Sequence, residues 1–311
     1  MKIKCRLLLI LCVLFISSGI YAQSYSWTVS QGASVTVGTG IELVYANTQT
    51  RDLLSELLWE IPGTISSETS FTWTAPNQTS VSGSISVAVT SPKGEMTDTD
   101  YFPPGTDYSQ YEYPFKYWSR SDAFVVSAVS ADLRFTKQPG RTWRYHSGIW
   151  YRYWEWTDKA WEYIYFDTRS GSGYEKGSFE GADAIDYLQH FFIPYVGISF
   201  VLGDELTQFE QGLYASFLSF AYANDLHRLR NPPVLFEDLA QGGLYLSFES
   251  DIKRKITNRT SFELFMNAAW IPAARADTKQ TEQGGEPLFF PSQAGIGLRE
   301  LTFGAAFSIH R

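Results

Sequence analysis

The chain has 311 residues, a formal net charge of -8 and 16% aromatic residues. Its only cysteines, Cys5 and Cys12, lie near the N-terminus, so the rest of the chain forms no disulfide, thiol nucleophile or zinc–thiolate site. The acidic balance argues against a broad basic surface for nucleic acid.

Lys2, Lys4 and Arg6 precede an apolar run from Leu7 to Ile16, followed by Ser17, Ser18 and Gly19. With a small-residue exit near Ala22, this pattern predicts a secretory signal peptide over residues 1–22. Its removal leaves residues 23–311 and strips three cations, which takes the charge from -8 to -11. No later apolar stretch reaches the roughly 20 residues that a membrane helix needs.

Alternation of period two runs through the remainder. Ile85, Val87 and Val89 alternate with small polar residues, and Phe124, Val126 and Ala128 repeat the pattern. The stretch Thr142–Asp158 is dense in Trp and Tyr. Leu213, Ala215 and Phe217 share a face, as do Leu244, Leu246 and Phe248. Ser261–Trp270 and Leu301–His310 close the series. Turns are predicted at Pro62-Gly63, Pro103-Pro104-Gly105, Pro139-Gly140, Gly171 to Gly173, Pro232-Pro233 and Gly284-Gly285. Rim loops are predicted over Pro103–Ser119 and Asp277–Gln293. About ten strands result, in one domain. A soluble β-sandwich explains the alternation equally well. Aromatic and apolar residues on both faces favour an all-β transmembrane antiparallel barrel.

Two short motifs carry chemistry. Asp225 and His227 stand two apart, so in a strand they share one face. The carboxylate would orient the imidazole and raise its proton affinity, as a general base needs. Asp98 and Asp100 have the same spacing. Two neighbouring carboxylates repel, and one keeps a proton closer to neutral pH. Such a pair holds and polarises a water. Taken singly, D-x-D is more often a solvated loop or cation site. His146, among aromatic residues, reads as structural.

Four patches in order resemble the omptins, outer-membrane proteases built on a ten-stranded barrel. They are Glu42-Leu43-Val44-Tyr45 with Leu54–Trp59, then Met96-Thr97-Asp98-Thr99-Asp100-Tyr101, then Ala184–Tyr187 with Ile193–Gly197, and Asn224-Asp225-Leu226-His227. The resemblance implies that Asp225 and His227 activate a water, that Asp98 and Asp100 position it from across the cleft, and that Glu42 lies at the bottom of the pocket for a basic side chain. It implies a water nucleophile, no metal and no cofactor. It also implies a monomer in outer-membrane lipid, with a cleft facing the exterior, that cuts cationic peptides or proteins. An acidic cleft would draw such substrates in.

The chain departs from the family pattern in places. Ala223 stands where members that cut between basic residues carry an acid, which predicts a weaker or shifted basic preference. The family depends on lipopolysaccharide held by outward cations. Here His190 and Gln241 stand where cations are expected. The chain also ends in Arg311 rather than an aromatic residue. Two other readings remain at this point: a binding or adhesion barrel with weak proteolysis, and a passive channel. A barrel of about ten strands has a lumen that side chains fill, which disfavours the channel.

Overall fold

The computed structural model describes residues 25–46, 52–107, 109, 111–167 and 173–311. The expected leader, residues 1–22, lies outside the described residues. The strands are β1 (Ser26–Tyr45), β2 (Leu53–Thr74), β3 (Thr79–Ala88), β4 (Lys93–Tyr101), β5 (Phe115–Lys137), β6 (Trp143–Asp167) and β7 (Gly173–Gly203). They continue with β8 (Thr207–Ser216), β9 (Phe220–His227), β10 (Val234–Gln241), β11 (Tyr245–Thr257), β12 (Thr260–Glu282) and β13 (Leu288–His310).

Three consecutive pairs are single staves with an interruption. Both β3 and β4 lie between β2 and β5. Both β8 and β9 pair with β7, and both β10 and β11 pair with β12. Thirteen segments thus make ten staves. All pairings between them are antiparallel, and β1 closes on β13 over Thr28–Val44. Closure removes the unpaired edges that an open sheet would expose.

The alternation separates two surfaces. Outward-facing Val35, Ile65, Phe71, Val87, Leu133, Val196, Leu213, Leu264 and Phe303 are exposed apolar side chains. They form the lipid-facing belt of a membrane barrel. Beyond one edge of the belt the outward residues become charged. Lys93 pairs with Asp122, Arg120 with Glu95 and Glu162, Lys159 with Asp183, Arg228 with Asp186, and Lys279 with Glu237. Exposed pairs of this kind add little stability. They mark where the wall has left the apolar zone.

Inside, the lumen is plugged just below that collar, at the upper edge of the apolar belt. Trp59, Trp154, Trp156, Tyr187 and Phe191 are fully buried. Trp59 stacks on Tyr187 at 5.0 Å, and Trp154 on Trp156 at 5.7 Å. Gln189 on β7 reaches across to the carbonyls of Ile41 on β1 (3.1 Å) and Gly297 on β13 (3.3 Å). Below the plug the lumen is polar. Arg134 there makes a bidentate pair with Glu249, at 2.7 and 2.8 Å. Arg152 bonds Glu300 at 2.9 Å, Trp154 donates to the same oxygen at 3.1 Å, and the guanidinium lies over the Trp154 ring.

Three sequence expectations change. Pro62-Gly63 is not a turn between strands. It is a bulge within β2, where the register against β1 slips between Thr36 and Val37 and Gly63 has φ +82. A left-handed glycine supplies the extra residue without a Cβ clash. The rim loops are also shorter than predicted. β5 starts at Phe115, β12 runs to Glu282 and β13 starts at Leu288. These strands continue past the apolar belt, where charged Lys116, Asp277 and Lys279 interrupt the hydrophobic alternation while the backbone ladder persists.

Arg152→Met would leave Glu300 buried against Trp154 without its cation. Removing one partner of a buried pair costs about 3–5 kcal/mol. Urea unfolding of the refolded barrel is expected to show that loss, and Arg152→Met with Glu300→Leu is expected to recover most of it.

Candidate active site

The site is assembled by strand register above the plug. On β1 the inward Glu42 lies opposite Leu57 of β2, and Leu57 lies opposite Asp98 of β4. Met96 is buried on the inner face of β4. Asp98 and Asp100 share its parity and so face inward with it. Ser55, opposite Asp100, donates to Asp98 Oδ1 at 3.2 Å.

Across the lumen, β9 turns Ala221, Ala223, Asp225 and His227 inward. Asp225 is 2% exposed. Its Oδ2 lies 2.6 Å from His227 Nε2. With that nitrogen donating to the carboxylate, Nδ1 is left as the basic atom. The imidazole meets the Phe236 ring edge-on at 5.2 Å. Its backbone is fixed as well. His227 pairs with Ile185 on β7, and Ile185 N donates to the buried Asp158 Oδ1 at 2.5 Å.

Electrostatics link the two sides. All these groups sit at the level of the charged collar, beyond the apolar belt. Burial, then the neighbouring Asp100, pushes Asp98 up to about 7, while His227 and the Ser55 hydroxyl oppose the shift. Burial also raises Asp100, against the Ser55 hydroxyl, Lys116 and Arg230. Burial alone would lower the proton affinity of His227. Asp225 overrides it by charge and hydrogen bond, and the net shift is upward. Asp98 and His227 are near enough for the charge of each to act on the other. Glu42 is raised well above the carboxylate range by burial and by the like charges of Asp225, Asp238 and Asp98.

Asp98, Asp100, Asp225, His227, Glu42 and Ala223 therefore gather at one end of the lumen. His146 does not join them. It sits lower, between Thr136 (3.0 Å) and Ser199 (2.8 Å). His190 bonds the Tyr151 hydroxyl at 2.8 Å and packs on Tyr153. Sequence reasoning missed Asp238 and Gln189. The available signal was a polar residue on an apolar inward face: Asp238 between Phe236 and Ala240, Gln189 between Tyr187 and Phe191.

A closed antiparallel barrel with a lipid-facing belt and a polar, acid-rich cleft above it defines an outer-membrane barrel protein. The profile of the Omptin family matches residues 23–309, and the chain belongs to that family. The outer membrane protease OmpT of Escherichia coli has a similar fold. Its TM-score is 0.82 at 17% identity, over 94% of this chain and 100% of that one. The outer membrane protein OprG of Pseudomonas aeruginosa aligns at a TM-score of 0.38 and 10% identity, over 92% of this chain and 96% of that one. The translocator domain of the autotransporter NalP of Neisseria meningitidis aligns at 0.36 and 9%, over 98% and 94%. Neither of these two bears on the assignment. No curated protein matches by sequence.

Asp225→Asn removes the charge that holds the His227 proton and leaves burial, which works against it. The His227 titration followed by ring-proton NMR is expected to move from above the ordinary histidine value of about 6.5 to below it. An unchanged titration would contradict the assigned pair.

Proposed function

We propose that the protein is an outer-membrane endopeptidase that cuts peptide bonds near basic residues with an activated water, in a cleft facing the exterior. The observation that carries this reading is the 2.6 Å Asp225–His227 contact set electrostatically against Asp98 and Asp100. A carboxylate-oriented imidazole with a raised proton affinity is a general base. The facing carboxylate pair, one member of which holds its proton near neutral pH, accepts and donates to a water between them.

His227 Nδ1 takes a proton from that water as its oxygen attacks the scissile carbonyl carbon. The carbonyl π-bond becomes an oxyanion in a tetrahedral intermediate. The intermediate collapses, the C–N bond breaks, and His227 returns the proton to the leaving amine. Asp225 holds the imidazole in the required tautomer and offsets its charge while protonated. No enzyme atom becomes bonded to the substrate. Cationic peptides are the substrate class, drawn by a chain charge of -11 once residues 1–22 are removed, with Glu42 as an acceptor for the cationic side chain. The acting unit is a monomer in outer-membrane lipid.

The test uses the protein refolded in detergent, with and without lipopolysaccharide. Quenched peptides carry Arg-Arg, Arg-Val or Leu-Leu centres. Cleavage of the arginine peptides is expected, reduced about 100-fold or more in both His227→Ala and Asp98→Ala. Wild-type rates in His227→Ala would overturn the mechanism. No cleavage by folded protein in either lipid condition would overturn the protease reading in favour of a binding barrel.

A further inference from the structure

The upper lumen holds more buried acid than the water-activating groups use. Gln189 lies opposite Ala223, Ala223 opposite Asp238, and Asp238 opposite Thr278. Neighbouring strands are about 4.8 Å apart. The Ala223 methyl therefore stands between two longer inward side chains. Asp238 is 2% exposed, Gln189 0% and Glu42 4%.

Each of these residues keeps a buried oxygen without a partner: Asp238 Oδ1, Gln189 Oε1 and Glu42 Oε2. The amide of Gln189 is fixed. Its Nε2 donates to Tyr187 Oη at 2.7 Å and to the Ile41 carbonyl, next to Glu42. The charges that act on Glu42 are Asp225, Asp238 and Asp98, all negative. Burial, then the charges of Glu42, Asp238 and Asp225, raises Tyr187 well above the usual phenol range, so the three acids lie within electrostatic reach of it. Tyr187 is stacked on Trp59 and, at 5.8 Å, on Trp156. A Cβ at Gly40 would lie 3.0 Å from Trp156 and 3.1 Å from Gln189 Oε1, so the bare glycine lets both approach Glu42's own strand.

Buried carboxylate oxygens without donors are costly. Two carboxylates and an amide oxygen beside aromatic rings lack only N–H donors and positive charge. A guanidinium brings five donors in a planar fork and an ammonium three. We propose that Asp238 is the second carboxylate of the pocket that receives the substrate's cationic side chain, shared with Glu42, in place of the position left apolar at Ala223. Gln189 supplies the third acceptor. This rests on the proteolytic reading above and revises the weak basic preference predicted from Ala223. Because the fork can bridge separate oxygens, arginine is preferred to lysine.

The test compares two quenched peptides that differ in one residue before the scissile bond: arginine, or citrulline, its uncharged isostere. Variants are Asp238→Asn and the exchange Ala223→Asp with Asp238→Ala, each checked for heat-modifiable gel mobility as a sign of a folded barrel. The ratio of kcat/KM for arginine over citrulline is expected to fall at least about thirtyfold in Asp238→Asn. The exchange is expected to restore much of it, since a carboxylate returns from the facing strand. An unchanged ratio in Asp238→Asn overturns the proposal, as does a wild-type protein that favours citrulline. Should the wild type cut neither peptide, binding of each is followed by tryptophan fluorescence. Arginine-selective binding lost in Asp238→Asn would then support the pocket while removing the proteolytic reading. Equal binding of both peptides, or of neither, would overturn the pocket.

Discussion

Carboxylates concentrated in a dehydrated end of the lumen set the terms for the whole upper barrel. Glu42, Asp98, Asp100, Asp158, Asp225 and Asp238 face one region. Burial alone pushes such groups to keep their protons. Three of them are held in place by different devices. Asp225 has the imidazole, Asp98 the Ser55 hydroxyl, and Asp158 the Ile185 amide. Asp238 has the Thr278 side chain, yet Asp238 Oδ1 and Glu42 Oε2 stay buried without a partner. The division of labour follows from that difference. In the proposed mechanism Asp225, Asp98 and Asp100 organise a base and a water, and the partnerless oxygens of Glu42 and Asp238 receive a cation.

The rest of the fold makes this concentration tolerable. A closed backbone ladder holds the strands at fixed register, so repulsion between the acids cannot spread them apart. The aromatic plug and Gln189 seal the cleft from the lower lumen. The lower lumen pairs its charges internally through Arg134 with Glu249 and Arg152 with Glu300. The plug also answers the channel reading, since large buried rings occupy the path that ions would need. On the outer wall the shift from apolar belt to charged collar lifts the cleft out of the lipid zone. A water-activating site requires that placement, because hydrolysis consumes water.

Much of this was legible in the sequence. Period-two alternation identified the strands, and the i, i+2 spacing put Asp98 with Asp100 and Asp225 with His227 on common faces. Those are local facts, and strand geometry converts them directly. Pro62-Gly63 was misread because a bulge and a turn use the same residues; only pairing with Thr36 and Val37 tells them apart. The rim strands around Asp277 and Phe115 were missed because their outward residues are charged and no lipid selects an alternation there. Asp238 was missed for a further reason. Its significance lies in standing opposite Ala223, and cross-strand register does not follow from spacing along one strand when fourteen residues, a loop among them, intervene. The apparent loss at Ala223 and the gain at Asp238 are one feature once the two strands are paired.

The most direct measurement is the proton balance of binding. Calorimetric titration of the barrel at pH 7 with an uncleavable arginine peptide would be run in buffers of different ionisation enthalpy. If the unpaired acids hold protons until a cation arrives, the heat depends on the buffer and reports proton release. The citrulline peptide then shows none. Identical heats in every buffer for the arginine peptide would contradict a cleft whose empty state is kept neutral by its own burial.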